Sequence, residues 1–530
     1  MPEEHTIGRV VGETTASNFQ FTVEDGKEPA VFEYVKLKIN DEVDGERMEK
    51  DVLAQVTDIE RRDPAMENGT PLEAIETMSQ QGIDNTTTIA TAQVIGYMSE
   101  TGVTKPRHAA RPGTCVEVAP DEFLEQFVTV GDDGLQIGTM LTRGSVTADL
   151  DVSGLNRHLA ILAATGAGKS HTAGVIIEEL LDKGASMLAI DPHGDYVRMT
   201  QEKNDGFDHT DKIRVFKARN PGDDEYQIKI KTSRLGWRRI CDLAGIESSH
   251  TNHRNLLRRV VREEEQEHGD SYTLEDLVQR LGDIMADEEG EDSETRDHAE
   301  KVQFKLQRLD RFDLFGSSDI PLDDLLSPQQ FTVLDLSGIP FQAQDLISLL
   351  VLDRTYQARV RDSLGEDGET YEYPVFTVIE EAHRLCPSKG EKTRTKQKLS
   401  EIAAEGRKFG QFLTLITQRP SKIDEDTLSQ CNSMIVQRIV NQQDQNSIAK
   451  ASESMAHDMI GELPSLNVGD AIITGPAVKV PSVVHIRKRK TEHGGDDIDI
   501  SKKLRQARED AEELENTTSE LDEEEDKLNV

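Results

Sequence analysis

The run Ala163-Ala164-Thr165-Gly166-Ala167-Gly168-Lys169-Ser170 gathers two glycines, a lysine and a hydroxyl within eight residues. Glycines at this spacing let backbone N–H groups curl around phosphate oxygens, while the lysine reaches the β- and γ-phosphates and the hydroxyl ligates Mg2+. His171 begins a helix whose N-terminal dipole adds to the attraction. The set predicts ATP and Mg2+ as cofactors, with Thr165, Gly166, Ala167, Gly168, Lys169, Ser170 and His171 around the nucleotide. Ala163 stands where such loops usually begin with glycine, and it fits if the backbone there has a negative φ.

Further groups fall at the ends of apolar segments. Val375–Ile379 runs into Glu380 and Glu381. Two carboxylates at a buried strand end suit nucleotide hydrolysis: Glu380 holds the metal, and Glu381 polarises the attacking water as general base. Gln418 follows the apolar run Phe412–Ile416 and is placed to sense the γ-phosphate. Asp191 follows Ser186–Ile190 and opens Asp-Pro-His-Gly-Asp-Tyr, where it either orients water or metal or stabilises an Asp-Pro turn. His383 lies in an EEAH string without HExxH spacing, which excludes zinc there. Cys115, Cys241, Cys386 and Cys431 form no CxxC pair and read as free thiols in a reducing compartment.

These residues need a strand–turn–helix frame. His158–Leu162, the phosphate loop, His171–Asp182 and Ser186–Ile190 make a βαβ unit and imply a parallel sheet. Phe331–Leu336, Val375–Ile379, Phe412–Ile416 and Met434–Gln437 continue it, with helices Ala343–Asp362 and Gln397–Phe409 between them. Ala471–Ile473 and Val480–Ile486 close it. Before the sheet, residues 1–118 read as short strands with Gly, Asp and Glu turns, a small β-barrel or sandwich. The strands are Thr6–Val11, Asn18–Val23, Val31–Leu37, Asp51–Asp58 and Thr91–Gly96, with room for a short helix in 63–85. Pro106, Pro112 and Gly113 read as linker. The resulting division is 1–118 β domain, 119–234 first part of the core, 235–330 helical insertion, 331–490 second part and 491–530 tail. The insertion rests on amphipathic segments at Arg254–Glu265, Leu274–Ile284 and Arg296–Phe312.

The chain has 530 residues, 61 Lys+Arg against 100 Asp+Glu, and a net charge of −39. Such charge opposes nucleic-acid binding in ordinary salt. In molar salt the Debye length falls to about 3 Å and only local charge matters. Acidity spread along the whole chain fits a protein adapted to high salt. Residues 492–530 hold 15 acids and 5 bases and read as solvated, in part helical. No run approaches the ~18 apolar residues of a membrane span, and the N-terminus lacks an apolar signal core, so a cytoplasmic protein with no membrane contact is expected.

Together, the strings TGAGKS, DPHGDY, IEEAH, EGRKFG and TQRPS resemble the HerA family within the FtsK–HerA group of RecA-like ring ATPases. The β-rich start resembles the family's HAS-barrel, and Gly469–Ile486 its closing strands. Asp195 departs from the family's more familiar Glu. The resemblance implies an α/β fold: a RecA-like P-loop core with an N-terminal β-barrel and a helical insertion. It implies a homo-hexameric DNA translocase or helicase of haloarchaeal type, working with a NurA-type nuclease in end resection and recombinational repair. A type IV secretion or conjugation ATPase, and a non-motor nucleotide-dependent scaffold, are the competing readings.

A ring gives roles to further residues. Arg407, at the end of the helix after Glu381, suits an arginine finger for a neighbour's nucleotide. Arg157 suits a nucleotide contact at the subunit interface, and Val484 and His485 a place against adenine. The run Lys389–Lys398 carries five bases and one acid. Lys392, Arg394, Lys396 and Lys398 are therefore the candidates for sequence-neutral DNA contact in the pore. The cations at 487–490 are expected to balance the acidic tail.

Overall fold

The computed structural model describes residues 6–43, 46–66, 70–81, 85–203, 206–388, 393–452, 455, 457–494 and 500–511. Lys392 lies outside the described residues.

The first unit holds β1 (Thr6–Val11), β2 (Asn18–Val23), β3 (Tyr34–Val43), β4 (Glu46–Arg62), α1 (Leu72–Gln80), β5 (Thr87–Ser99), β6 (Gly102–Thr104) and β7 (Cys115–Val118). The strand order is β2-β1-β7-β3-β4-β5-β6, and an added β2–β5 pairing closes six strands into a barrel with β6 as an arm. Strict alternation in β5 turns Ala90, Ala92 and Val94 inward, where Phe19, Phe21, Val35, Leu37 and Val52 fill the interior. Among the described residues, closure pairs each of the six barrel strands on both sides and leaves only the three-residue arm β6 as an edge. Directly after the segment read as linker comes β7, the strand that joins β1 to β3.

The second unit is built on a twelve-stranded sheet. Its early elements are α2 (Asp121–Val128), β8 (Gly134–Met140), β9 (Arg143–Asp151), β10 (Leu159–Leu162), α3 (Lys169–Asp182), β11 (Ser186–Asp191), β12 (Ile213–Lys217) and β13 (Tyr226–Gln227). The insertion follows with β14 (Ile230–Lys231), α4 (Gly236–Leu243), α5 (Thr251–His268), α6 (Leu274–Ala286), α7 (Ser293–Asp310), β15 (Phe315–Gly316) and α8 (Leu322–Leu325). Then come β16 (Gln330–Asp335), α9 (Phe341–Leu364), β17 (Val375–Ile379), α10 (Ala382–Leu385), α11 (Thr395–Phe409) and β18 (Gln411–Thr417). The sheet ends with β19 (Ser433–Val436), β20 (Asp470–Thr474) and β21 (Ser482–Ile486). The order is β13-β12-β16-β11-β17-β18-β10-β19-β20-β21-β8-β9, parallel from β13 to β19 and antiparallel beyond.

Strands β10, β11, β16 and β17 are buried along their whole length because helices cover both faces. One face packs on α9, α11 and the insertion, the other on α2 and α3. His158 pins the start of β10: its Nε2 donates to the Ala403 carbonyl of α11 (3.0 Å), and its Nδ1 accepts from the Leu413 N–H of β18 (2.9 Å).

After β21 the chain does not leave the body. Residues 487–494 form a strap along α3. Arg487 pairs with Glu178 (2.9 Å) and Glu179 (2.8 Å), and Lys490 lies near Glu179 and Asp182. Glu178, fully buried, also accepts from the Lys490 and Thr491 N–H groups (2.9 Å each) and from the Thr491 hydroxyl (2.8 Å). A Cβ on Gly174 would lie 2.5 Å from Arg489 Nε, so the strap requires glycine there. Arg487 and Lys490 thus pair with carboxylates of α3, where the sequence expectation had them balancing the tail, and the packed body continues past residue 490. Residues 500–511 form an exposed helix.

Candidate functional site

The C-terminal ends of β10, β11, β17 and β18 meet on one edge of the sheet, where the phosphate loop, Asp195, Glu380 and Gln418 converge. Gly166 (φ 75°) and Gly168 (φ 109°) take the left-handed backbone that turns the loop, and at Gly166 a Cβ would meet nothing within 4 Å. Ala163 is fully buried, donates to the Thr417 carbonyl (3.3 Å), and is not among the positive-φ residues. Alanine therefore fits the position without strain.

Lys169 Nζ lies 2.6 Å from Glu380 Oε1 and 3.3 Å from Glu381 Oε1. Burial opposes its charge, but the two glutamates hold its pKa above the usual lysine value. Burial pushes Glu380 up, against Lys169 and the Tyr196 hydroxyl, which donates to Oε2 at 2.7 Å. Glu381 is held low: burial resists its charge, while His383 (Nδ1 to Oε2, 3.1 Å) and Lys169 favour it. Its backbone is left-handed, φ 49° and ψ 46°, an unusual state for a side chain of this size.

Ser170 Oγ donates to Asp195 Oδ2 (2.8 Å). The Thr165 hydroxyl donates to Gln418 Oε1, so the proposed γ-phosphate sensor touches the phosphate loop. His383 serves structure: its Nδ1 meets the Thr417 hydroxyl at 3.0 Å. The donor set fits a magnesium nucleotide. The loop offers backbone N–H groups in an open cradle, and Ser170, Asp195 and Glu380 supply hard oxygen ligands. When bound, ATP supplies the phosphoanhydride and Mg2+ neutralises its charge. Of the chain's own groups, Lys169 contacts both glutamates and Tyr196 holds Glu380.

Two groups here had no assigned role in the sequence reading. Asp195 carries the contact to Ser170; its only sequence signal was its place in Asp-Pro-His-Gly-Asp-Tyr. Gln437 follows β19, is fully buried, and directs its amide at the loop, with Nε2 3.1 Å from where a Gly168 Cβ would stand. Among the described residues neither amide atom has a hydrogen-bond partner. A buried amide left in this state is costly, and a ligand in the cradle is what it faces.

Other expected residues lie elsewhere. The Asp191 carboxylate accepts from the His193 (3.1 Å), Gly194 (2.8 Å) and Tyr196 (3.0 Å) N–H groups, so it shapes the turn instead of meeting water or metal. Burial, reinforced by Asp195 and Glu380, pushes it up to about 7. Val484 is sealed in the core beside Met140 and Ala471 and cannot face a base. His485 pairs with Asp470 (2.8 Å), three strands from β10. The His171 side chain donates to the Arg487 carbonyl (2.8 Å), joining the strap to the first turn of α3.

Arg157 and Arg407 are both exposed and lie at the opposite edge of the sheet. Arg157 precedes β10, and Arg407 is in the last turn of α11. The His158–Ala403 hydrogen bond brings these two segments together. A strand length, about 13–17 Å, separates them from the phosphate loop of their own subunit.

The described DNA-contact candidates are not free cations. Arg394 pairs with Asp242 (3.4 Å), Lys396 with Asp424 (2.6 Å), and Lys398 with Asp353 (2.9 Å) and Glu401 (2.8 Å). In a chain so rich in acids, each finds a carboxylate within its own subunit.

The family described as helicase HerA, central domain, matches residues 135–355, and the HAS barrel domain matches residues 7–105. A probable helicase of Methanocaldococcus jannaschii is 30% identical over 514 residues, 94% of each chain. A probable DNA double-strand break repair helicase HerA of the same organism is 30% identical, covering 78% of this chain and 88% of its own. The DNA double-strand break repair helicase HerA of Pyrococcus furiosus is 29% identical, covering 94% and 96%. Among solved structures, VirB4 of Thermoanaerobacter pseudethanolicus gives a TM-score of 0.48 at 17% identity, covering 68% of this chain and 97% of that one. Among the described residues no helix is long and apolar enough to cross a membrane.

Proposed function

The chain belongs to the HerA helicase family, and from that premise we propose an ATP-driven DNA translocase that assembles as a homo-hexamer and works with a NurA-type nuclease at DNA ends. It is a P-loop ATPase. Lys169 and the loop N–H groups bind the phosphates of ATP, Ser170 and Glu380 hold Mg2+, Glu381 activates water, and Gln418 reads the γ-phosphate.

The observation that carries the ring reading is the position of Arg157 and Arg407. Each subunit has its phosphate loop on one edge of the sheet and two exposed arginines on the other. A head-to-tail arrangement brings one subunit's arginines to its neighbour's nucleotide, and a heterologous contact of that kind closes into rings. Arginine supplied in trans stabilises the transferring phosphoryl group. The closed barrel at the head offers the nuclease a docking face separate from the ATPase.

The test is ATP hydrolysis by gel-filtered protein in KCl, with and without linear duplex DNA. Strong stimulation in a fraction of hexamer size is expected. Hydrolysis indifferent to DNA, with or without the nuclease, would overturn the motor reading.

A further inference from the structure

We propose that a cation-lined cleft between the helical insertion and the ATPase sheet binds the phosphodiester backbone of DNA, an inference that rests on reading the chain as a DNA motor. The cleft encloses about 630 Å3. Its walls carry Arg219, just after β12, and Lys305, Arg308 and Arg311 at the end of α7; Pro340 at the start of α9 lies beside them. It therefore opens on the C-terminal edge of the sheet, the edge that carries the phosphate loop.

Cations dominate the walls of this cleft. The single carboxylate on the wall is Asp242, and it is committed to Arg254 (3.0 Å) and Arg394 (3.4 Å). Lys305 donates to the Gly245 carbonyl (2.7 Å). Among the described residues, Arg219, Arg308 and Arg311 have no carboxylate within ion-pair distance. By contrast, Arg487 meets two glutamates and Arg280 three. Three guanidiniums left facing one cleft, in a chain with 39 excess negative charges, mark a place kept for an outside anion.

Guanidinium donors match phosphate oxygens in a two-pronged fork, which a point charge does not. The N-terminus of α9, a helix of 24 residues, adds partial positive charge beside them. The extent of the patch favours a polymer over a single phosphate. Past Asp242, Arg254 lies over the ring of Trp237 (5.7 Å), with Arg238 (5.2 Å) and Arg258 (5.7 Å) on the same ring. Arg238 and Arg258 are exposed and also lack a carboxylate partner among the described residues. The cationic track thus runs from the cleft across α4 and α5, and the Arg394–Asp242 pair ties it to the segment before α11. Guanidiniums directed at phosphates carry no sequence information, so binding is sequence-neutral.

The full-length protein with Arg219, Arg308 and Arg311 all changed to alanine tests this, by fluorescence anisotropy with a labelled duplex across a series of KCl concentrations. All three side chains are exposed, so folding and assembly, read by melting and gel filtration, should be retained. The expected result is a Kd raised about tenfold or more and a slope of log K against log salt lowered by about 2–3. The triple lysine variant keeps the charge but not the fork, so it should keep the salt slope of the parent and bind more weakly, between the parent and the alanine variant. If the alanine variant does not fold, single changes R219E and R308E read the same slope. Unchanged affinity and slope in a variant whose parent binds DNA would overturn the cleft but leave the motor reading standing. A parent protein that binds no DNA at all would overturn both. Loss of inorganic phosphate binding with DNA affinity intact would show an anion pocket only, and overturn the assignment to DNA.

Discussion

At the nucleotide site Glu381 is the proposed base, and Gln437 is a buried amide with no hydrogen-bond partner among the described residues. Glu381 is ionised, left-handed in its backbone, and 3.3 Å from Lys169. Glu381→Gln keeps the shape and removes the base, so it should lower kcat by about 10²–10⁴ while a labelled ATP analogue still binds. Unchanged turnover would remove Glu381 from the mechanism. Gln437→Met keeps the volume and discards two buried, unpartnered amide atoms. The melting temperature should hold or rise, and nucleotide affinity should fall several-fold. A variant that binds nucleotide as tightly as the parent would make Gln437 a packing residue. The two differ in how they could be read from sequence. Glu381 announced itself because it follows a five-residue apolar strand. Gln437 also follows a strand, but its meaning depends on Gly168, 269 positions earlier, and no local pattern carries that.

At the scale of elements, β10, α11 and β18 are locked together by one imidazole. His158 donates from Nε2 and accepts at Nδ1, and the accepting bond requires the neutral ring. Burial lowers its pKa to about 4, from 6.5 for an exposed histidine. The unfolded chain therefore binds the proton first, and stability is full above pH 6.5 and lost as pH falls toward 4, by up to about 2–3 kcal/mol. His158→Gln supplies a donor and an acceptor that do not titrate, and should flatten the melting-temperature profile in that window. A profile of unchanged slope would place the sensitivity elsewhere. The strap gives a second prediction. Glu178→Ala leaves Arg487 without its buried partner and should cost about 3–5 kcal/mol in thermal or denaturant unfolding. Ending the chain after Gly494 should cost little by comparison. Equal costs would mean that the strap does not brace α3. The parallel strands were legible because burial on both faces makes them continuous apolar runs. Strands β8 and β9 were not, since β8 pairs with β21 some 340 residues later. The strap was hidden for the same reason: a row of Arg and Lys beside an acidic tail looks solvated until Glu178 is seen beneath it.

Across the whole molecule, the phosphate loop and the two exposed arginines occupy opposite edges, which is why the ring proposal makes the interface between subunits the working unit. Arg407→Ala and Glu381→Gln should each silence hydrolysis alone. Mixed and allowed to exchange subunits, they should regain activity, because some interfaces then join an intact Glu381 to an intact Arg407. A mixture that stays silent would exclude the arginine as a donor in trans. Local charge, more than the total of −39, decides where a polyanion can rest, and that distribution was beyond the sequence. The run Lys389–Lys398 looked free, yet Lys398 finds Asp353 and Arg394 finds Asp242 across long stretches of chain. The strap also has a consequence for biosynthesis. Translation delivers the helix behind the phosphate loop hundreds of codons before the residues that neutralise its buried glutamate. A nascent chain that has not yet reached Lys490 and Thr491 therefore carries an unfinished motor, whose nucleotide site lacks its brace.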